Sequence, residues 1–174
     1  MDALRGLNLV SPYELRDNFF DAVDNGWMLI TAGDEQNFNT MTASWGSFGI
    51  LWNMPIAQIF IRPQRYTYQF VEQSSYYTLC FFDEKWRKAL NFCGAKSGRK
   101  YDKPKETGLI PAATGHGIAF QQARMVLECR KLYADNLKPE QFIDKGIIRK
   151  NYPKSDFHRF FIGEIVNVYL AAQG

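Results

Sequence analysis

Apolar residues in this chain recur at every second position or in short unbroken runs, which is the pattern of strands rather than of long helices. Trp27 to Gly33 reads as a strand stopped by the polar turn Asp34-Glu35-Gln36-Asn37. Phe38 to Gly46 is a second strand and makes a hairpin with the first. Pro55 to Arg62 is a third, ended by Pro63, and Tyr76 to Phe82 is a fourth. Two late strands cover Ala119 through Tyr133, with a bend, and Arg159 to Leu170. Helical spacing is confined to short stretches. Ser11 with Pro12 and Glu14 is cap-like and opens a helix through Asp21. Tyr66, Phe70 and Val71 define a short helix over Tyr66 to Gln73, and Trp86, Leu90 and Cys93 share a face over Glu84 to Cys93. Lys138 to Phe142 gives a helical turn, and Gly94 to Gly117 reads as a long loop. Strands that lie close together without βαβ alternation predict a mainly β fold, an antiparallel sheet closed into a barrel with a few short helices.

Composition narrows the class. A chain of 174 residues with no repeat or linker predicts a single domain spanning 1–174. Its 46% hydrophobic and 22% charged residues are those of a globular chain rather than a disordered one. No apolar run approaches the roughly 20 residues that span a bilayer. Met1 to Gly6 lacks the basic and apolar parts of a secretory signal, so a cytoplasmic location is expected. A net charge of +3 is too small to argue for nucleic acid, and the basic stretch from Lys85 to Lys105 is interrupted by acids and glycines. Cys80, Cys93 and Cys129 have no zinc-like spacing with each other or with His116 and His158, so no metal site is expected. Cys80 and Cys129 sit in apolar runs and read as packing, which suits a reducing compartment.

Two blocks carry candidate chemistry. Asn39 to Ser47 (NTMTASWGS) is crowded with small and hydroxyl-bearing residues beside the indole of Trp45, where a flat ligand can approach the backbone closely. The alternative is a strand with its hydroxyls turned to solvent. Arg62-Pro63-Gln64-Arg65-Tyr66-Thr67 places two cations and two hydroxyls at a strand end and a helix start. Guanidinium forks, hydroxyls and free helix N–H groups suit a phosphate. Ordinary surface charge is the competing explanation. Neither GxxxxGK[ST] nor GxGxxG occurs, which argues against the common nucleotide folds. The two blocks together point to a phosphorylated, ring-bearing cofactor.

With Cys93-Gly94, Ser97-Gly98-Arg99, Asp102-Lys103 and His158 with Phe161-Ile162-Gly163-Glu164-Ile165, the two blocks form a pattern that resembles the flavin reductase-like family over nearly the whole chain. These are FMN-binding split barrels that include flavoredoxin-type proteins. The resemblance implies an antiparallel, Greek-key-like split barrel and a homodimer in which each subunit helps to wall the other's site. It also implies that Thr42, Ala43 and Ser44 meet the isoalloxazine edge near Trp45, and that Arg62, Tyr66 and Thr67, in the block with Pro63, hold the phosphate. Ser97, Gly98 and Lys103 would close over the cofactor. His158 corresponds to a histidine that faces nicotinamide in NAD(P)H-dependent relatives, although Phe157 stands where those carry aspartate. The resemblance thus implies an oxidoreductase that passes electrons from NAD(P)H through FMN to free flavin, ferric iron or a protein. A flavoredoxin-type carrier reduced by a protein partner is the alternative, and a barrel that has lost flavin is a third reading. A second anion site, from Arg99, Lys100 and His116, would favour the dinucleotide donor.

Overall fold

A computed structural model describes residues 1–171, and residues 172–174 of the expected domain lie outside the described residues. The strands are β1 (Leu7–Val10), β2 (Met28–Gly33), β3 (Phe38–Ala43), β4 (Gly46–Leu51), β5 (Met54–Ile61), β6 (Tyr76–Phe81), β7 (Pro111–Ala113), β8 (Ile118–Phe120), β9 (Met125–Asn136) and β10 (Arg159–Ala171). The short helices are α1 (Phe19–Asp21), α2 (Tyr66–Gln73), α3 (Arg87–Ala95), α4 (Lys103–Thr107) and α5 (Lys145–Asn151). The main sheet runs β3-β2-β6-β9-β10-β5-β4, with β1 added to β10, and every one of these pairings is antiparallel. The expected mainly β antiparallel architecture is therefore the one observed. Among the described residues no helix is long and apolar enough to cross a membrane.

Topology explains the barrel. β3 and β4 are the two terminal strands of the order, yet only Ser44 and Trp45 join them in sequence. The sheet must curl until its ends almost meet, leaving a seam that backbone pairing does not close. Inside the curl, Met28, Ile30, Ile59, Ile61, Leu79, Leu127 and Phe161 are fully enclosed, each contributing about 1.5–3 kcal/mol through burial. A second core lies between the sheet and α3, where Leu29, Cys80, Leu90, Cys93 and Phe120 meet. All three cysteines are buried free thiols, and burial pushes Cys80 up to about 12 and Cys93 up to about 11.

The structure corrects several sequence-derived boundaries. The capping box at Ser11 and Glu14 forms, but it closes only a 3-10 turn at Pro12–Glu14. A new cap at Asn18 then starts α1, which widens into a π turn over Ala22–Gly26. The strand expected from Phe38 to Gly46 ends at Ala43, and a separate β4 begins at Gly46. That strand turns back through Trp52 and Asn53, both at positive φ (52° and 59°), as a two-residue hairpin requires. Trp-Asn is an unusual pair for such a turn, which hid it. The span from Ala119 to Tyr133 is two strands interrupted near Gln121–Arg124, where Arg124 N–H bonds to Phe81 O instead of continuing the ladder. The expected long loop from Gly94 to Gly117 contains α4 and β7, while β1 and α5 had no predicted counterpart.

Candidate functional site

At the seam, the end of β3 and the connector form one wall of a cavity of about 270 Å³, with Thr42, Ala43, Ser44 and Trp45 facing Phe60, Arg62 and His158 across it. The local sequence dictates this wall. Asn39 and Thr40 point to opposite faces of the strand and are both buried, and the Thr40 hydroxyl shares hydrogen bonds with Thr31 and with Ile30 O. The hydroxyls of this strand are therefore not a solvated face. The Thr42 hydroxyl donates to Leu90 O of α3, locking the strand end against that helix. With only β2 as a hydrogen-bonded neighbour, β3 keeps one edge open, and an open edge offers backbone N–H and C=O groups to a ligand.

The opposite wall is a linked set of polar side chains. His158 is 8% exposed, and burial together with the Arg62 charge lowers its pKa to about 4, so the imidazole is neutral near pH 7. Its Nδ1 lies 2.9 Å from the Tyr152 hydroxyl. Burial raises the pKa of that phenol, so the hydroxyl stays protonated and shares a hydrogen bond with the neutral imidazole at Nδ1. Phe157 stacks on Tyr152 with ring centroids 4.7 Å apart, so the aromatic residue just before His158 packs the tyrosine that orients it. The Arg62 guanidinium lies 5.3 Å from the Tyr152 ring centroid, is ion-paired to Asp156 and donates to Asn151 O at 2.9 Å.

This arrangement has a consequence for acid stability. The folded pKa of His158 lies below its ordinary value of about 6.5, so between roughly pH 6.5 and 4 the unfolded chain binds a proton that the folded chain does not. Stability is lost as pH falls through that window, by on the order of 3 kcal/mol for this residue. Urea midpoints at pH 7 and pH 4.5 should therefore converge in His158→Gln relative to wild type. Equal slopes against pH in the two proteins would rule this out.

A second, smaller cavity of about 100 Å³ opens at the start of α2, between Arg65, Tyr66 and Thr67 on one side and Ser97 and Lys103 on the other. Arg65 is the N-cap residue and makes no side-chain cap, leaving the first N–H groups of the helix without a side-chain partner. Burial lowers the Arg65 pKa, and no carboxylate lies within ion-pair distance of it among the described residues. A half-buried cation without a counter-charge suits an anionic ligand. The Thr67 hydroxyl accepts from Asn39 Nδ2 at 2.7 Å, which leaves its own hydrogen free to donate. Lys103 is buried, donates to Thr40 O (2.7 Å) and Cys93 O (2.9 Å), and has its pKa lowered by burial to about 8. It thereby fastens β3, α3 and α4 around the cavity. Gly98 lies so close to Asn39 that a Cβ there would fall 1.9 Å from Asn39 Oδ1.

The candidate residues thus divide into two groups. Thr42, Ala43, Ser44 and Trp45 share the seam cavity with His158, while Tyr66, Thr67, Ser97 and Lys103 share the anion-suited one, with Gly98 packed behind it. Arg62 falls in the first group rather than with Tyr66 and Thr67, and Pro63 is exposed and lines neither. Arg99 lies over the Tyr66 ring at 4.5 Å, whereas His116 stacks on Tyr76 and lines a separate polar cavity with Asp34, so the three residues considered for a second anion site do not gather there. Sequence reasoning named Asn39 at the head of its block without giving it a role, and passed over Tyr152. Tyr152 had no local signal, because its partner lies beyond an irregular loop.

The chain belongs to the flavin reductase like domain family, which matches it over residues 20–174. No curated protein matches it. Among solved structures it is similar to flavoredoxin from Methanosarcina acetivorans, with a TM-score of 0.65 and 22% identity over 85% of this chain and 69% of that one. It is also similar to an FMN-binding protein from Thermus thermophilus, with a TM-score of 0.66 and 19% identity over 97% and 81% of the two chains. A third similar structure is a candidate flavin reductase with split barrel domain from Shewanella frigidimarina NCIMB 400, with a TM-score of 0.67 and 20% identity over 94% and 76%. The sheet described above is thus the split barrel of this family.

Proposed function

We propose that the protein binds FMN and passes electrons from NAD(P)H through it to an acceptor, as a homodimer. The observation that carries this reading is the relation between the two cavities. They lie along one strand, with Thr40 tied to Lys103 at the anion-suited end and Ala43 lining the seam cavity. Three residues of strand rise separate them, roughly 10 Å, a gap that a five-carbon ribityl chain suits. Family membership supports the same reading, and so do the flavoredoxin and FMN-binding protein among the similar structures.

The residues fit such a cofactor in distinct ways. Arg65, the Thr67 hydroxyl, Ser97 and the start of α2 would hold the phosphate, with Tyr66 and Lys103 completing its pocket. Backbone groups of Thr42, Ala43 and Ser44 would meet the ring edge, Trp45 would wall it, and the neutral imidazole of His158 would face it. Bound flavin supplies hydride and electron transfer, so the protein needs no nucleophile of its own. Arg62, held by Asp156, keeps a positive charge beside the ring cavity without spending it on the phosphate.

Comparing FMN with riboflavin isolates the phosphate. Wild-type protein should hold FMN at least about tenfold more tightly, since charge-assisted hydrogen bonds contribute about 1.5–3 kcal/mol. Arg65→Ala or Thr67→Ala should erase most of that difference while leaving riboflavin affinity in place, read by quenching of flavin fluorescence. Equal affinity for FMN and riboflavin in wild type would refute the phosphate assignment. Anaerobic mixing with NADH and NADPH then separates the donors. If neither bleaches bound flavin, a protein partner reduces it, as in the flavoredoxin-type alternative.

A further inference from the structure

Next to the seam cavity lies a larger one of about 780 Å³, and the two share Ser44, Trp45 and Phe60 as a common wall. Its size falls within the range that encloses small ligands, roughly 300–1,000 Å³. Its walls are mainly aromatic. Phe19 and Phe48 stack at 4.4 Å, Trp45, Phe60 and Tyr152 line the side towards His158, and Phe20 also lines it while remaining 90% exposed. Flat rings on several sides favour a planar occupant, which can stack or meet ring edges. The charges that line it are of one sign, namely Asp17 and Asp24, with no lysine or arginine. Asp17 is paired with Arg124 at 2.7 Å, whereas Asp24 is exposed and has no ion pair among the described residues. A dinucleotide pyrophosphate or any sulfonate entering here would meet Asp24 and no unpaired cation among the lining residues, since Arg124 is held by Asp17. The Ser44 hydroxyl, which makes no side-chain hydrogen bond among the described residues, offers a donor at the boundary between the cavities.

We propose that this aromatic cavity is an acceptor site for a neutral planar carbonyl compound of the quinone class, and not the entry for the nicotinamide donor. The inference rests on the FMN reading, because the shared wall places the occupant beside the proposed ring position. Reduced FMN, once bound, would supply the two electrons and two protons with which the quinone leaves as hydroquinone. Ser44 orients a carbonyl oxygen, and the aromatic walls offer faces on which the ring can stack.

Menadione and 1,4-naphthoquinone-2-sulfonate share a ring system and differ in charge, which makes them suitable probes. Equilibrium dialysis against oxidised, FMN-loaded protein without any reductant should show menadione bound and the sulfonate bound at least about tenfold more weakly at low salt. Asp24→Asn should narrow that gap, and Phe20→Ala should weaken menadione binding about fivefold or more, since an exposed ring is removed without disturbing the core. FMN retention, read on the same samples by absorbance, tests the ring site separately. FMN retained without menadione binding overturns the acceptor site alone, whereas loss of FMN in wild type overturns the underlying function. Equal binding of the two quinones, or unchanged menadione binding in Phe20→Ala, also overturns the proposal. Sedimentation that shows Phe20→Ala splitting a dimer would assign the cavity to a second copy of the chain and overturn it as well.

Discussion

Gly98→Ala should loosen the protein's hold on FMN by about tenfold or more. The alanine methyl would lie 1.9 Å from Asn39 Oδ1, 2.9 Å from Asn39 Cγ and 3.1 Å from a Tyr66 ring carbon, so one of these groups must yield. Asn39 is the one that can rotate, but it is buried, and its amide donates to Thr67 Oγ1. Moving it releases the hydroxyl that faces the proposed phosphate, and Tyr66 beside it shifts as well. A charge-assisted hydrogen bond broken in this way is worth about 1.5–3 kcal/mol, which is the source of the expected factor. Because Asn39 and Thr67 are both buried, the same displacement also lowers the melting temperature. Gly49→Ala is the control, since nothing lies within 4 Å of its added methyl. Titration of FMN fluorescence checks both, and a Gly98→Ala protein that binds FMN as wild type does would break the proposed chain from Gly98 through Asn39 to Thr67.

Gly163→Ala should have the largest effect on stability. A Cβ at this position would sit 2.5 Å from the Tyr77 hydroxyl oxygen, 2.9 Å from its ring carbon Cζ and 3.0 Å from Cys129 Cβ, and Tyr77 and Cys129 are both fully buried. Neither neighbour has room to move, and displacing Tyr77 would break its 2.9 Å hydrogen bond to Ala57 O on β5. Overpacking and the orphaned carbonyl together cost about 2–4 kcal/mol. For a domain of this size that lowers the melting temperature by roughly 5–15 °C. Tyr77→Phe removes the atom that clashes most, so the double variant should be less destabilised than the sum of the two single ones. Strict additivity in thermal melts would show that the clash lies elsewhere. The register of β9 against β10 also shifts between Ile162 and Gly163, so the glycine sits where β10 departs from regular pairing.

Legibility in the sequence followed the range of the interaction. The β2–β3 hairpin, α2 and the late strand β10 were readable because each is specified by its own alternation, turn or spacing. The break at Ser44 and Trp45 was not, since nothing in Phe38 to Gly46 signals that the next residues pair on the opposite edge of the sheet. In the candidate site, the clustering of Tyr66 and Thr67 was a local inference and needed no fold. The separation of Arg62 from them depended on Asp156 and Asn151, which reach it from another part of the chain. Tyr152 escaped for another reason, since its partner His158 is only six residues on but the intervening chain has no regular spacing to reveal the pair. Gly163 stood out as part of a family block, but the reason it must be glycine lies in Tyr77, on a strand that does not pair with β10.

The connector at the barrel's seam separates two design problems. The β2–β3 and β4–β5 hairpins each hold their own register, so neither depends on the length or chemistry of Ser44 and Trp45 to fold correctly. The same residues set how far apart the two barrel edges stand. Substitution or insertion there can widen, narrow or reshape the ring cavity without re-pairing a strand. This makes the connector the place where one barrel can be retuned to different planar partners at little cost to its folding.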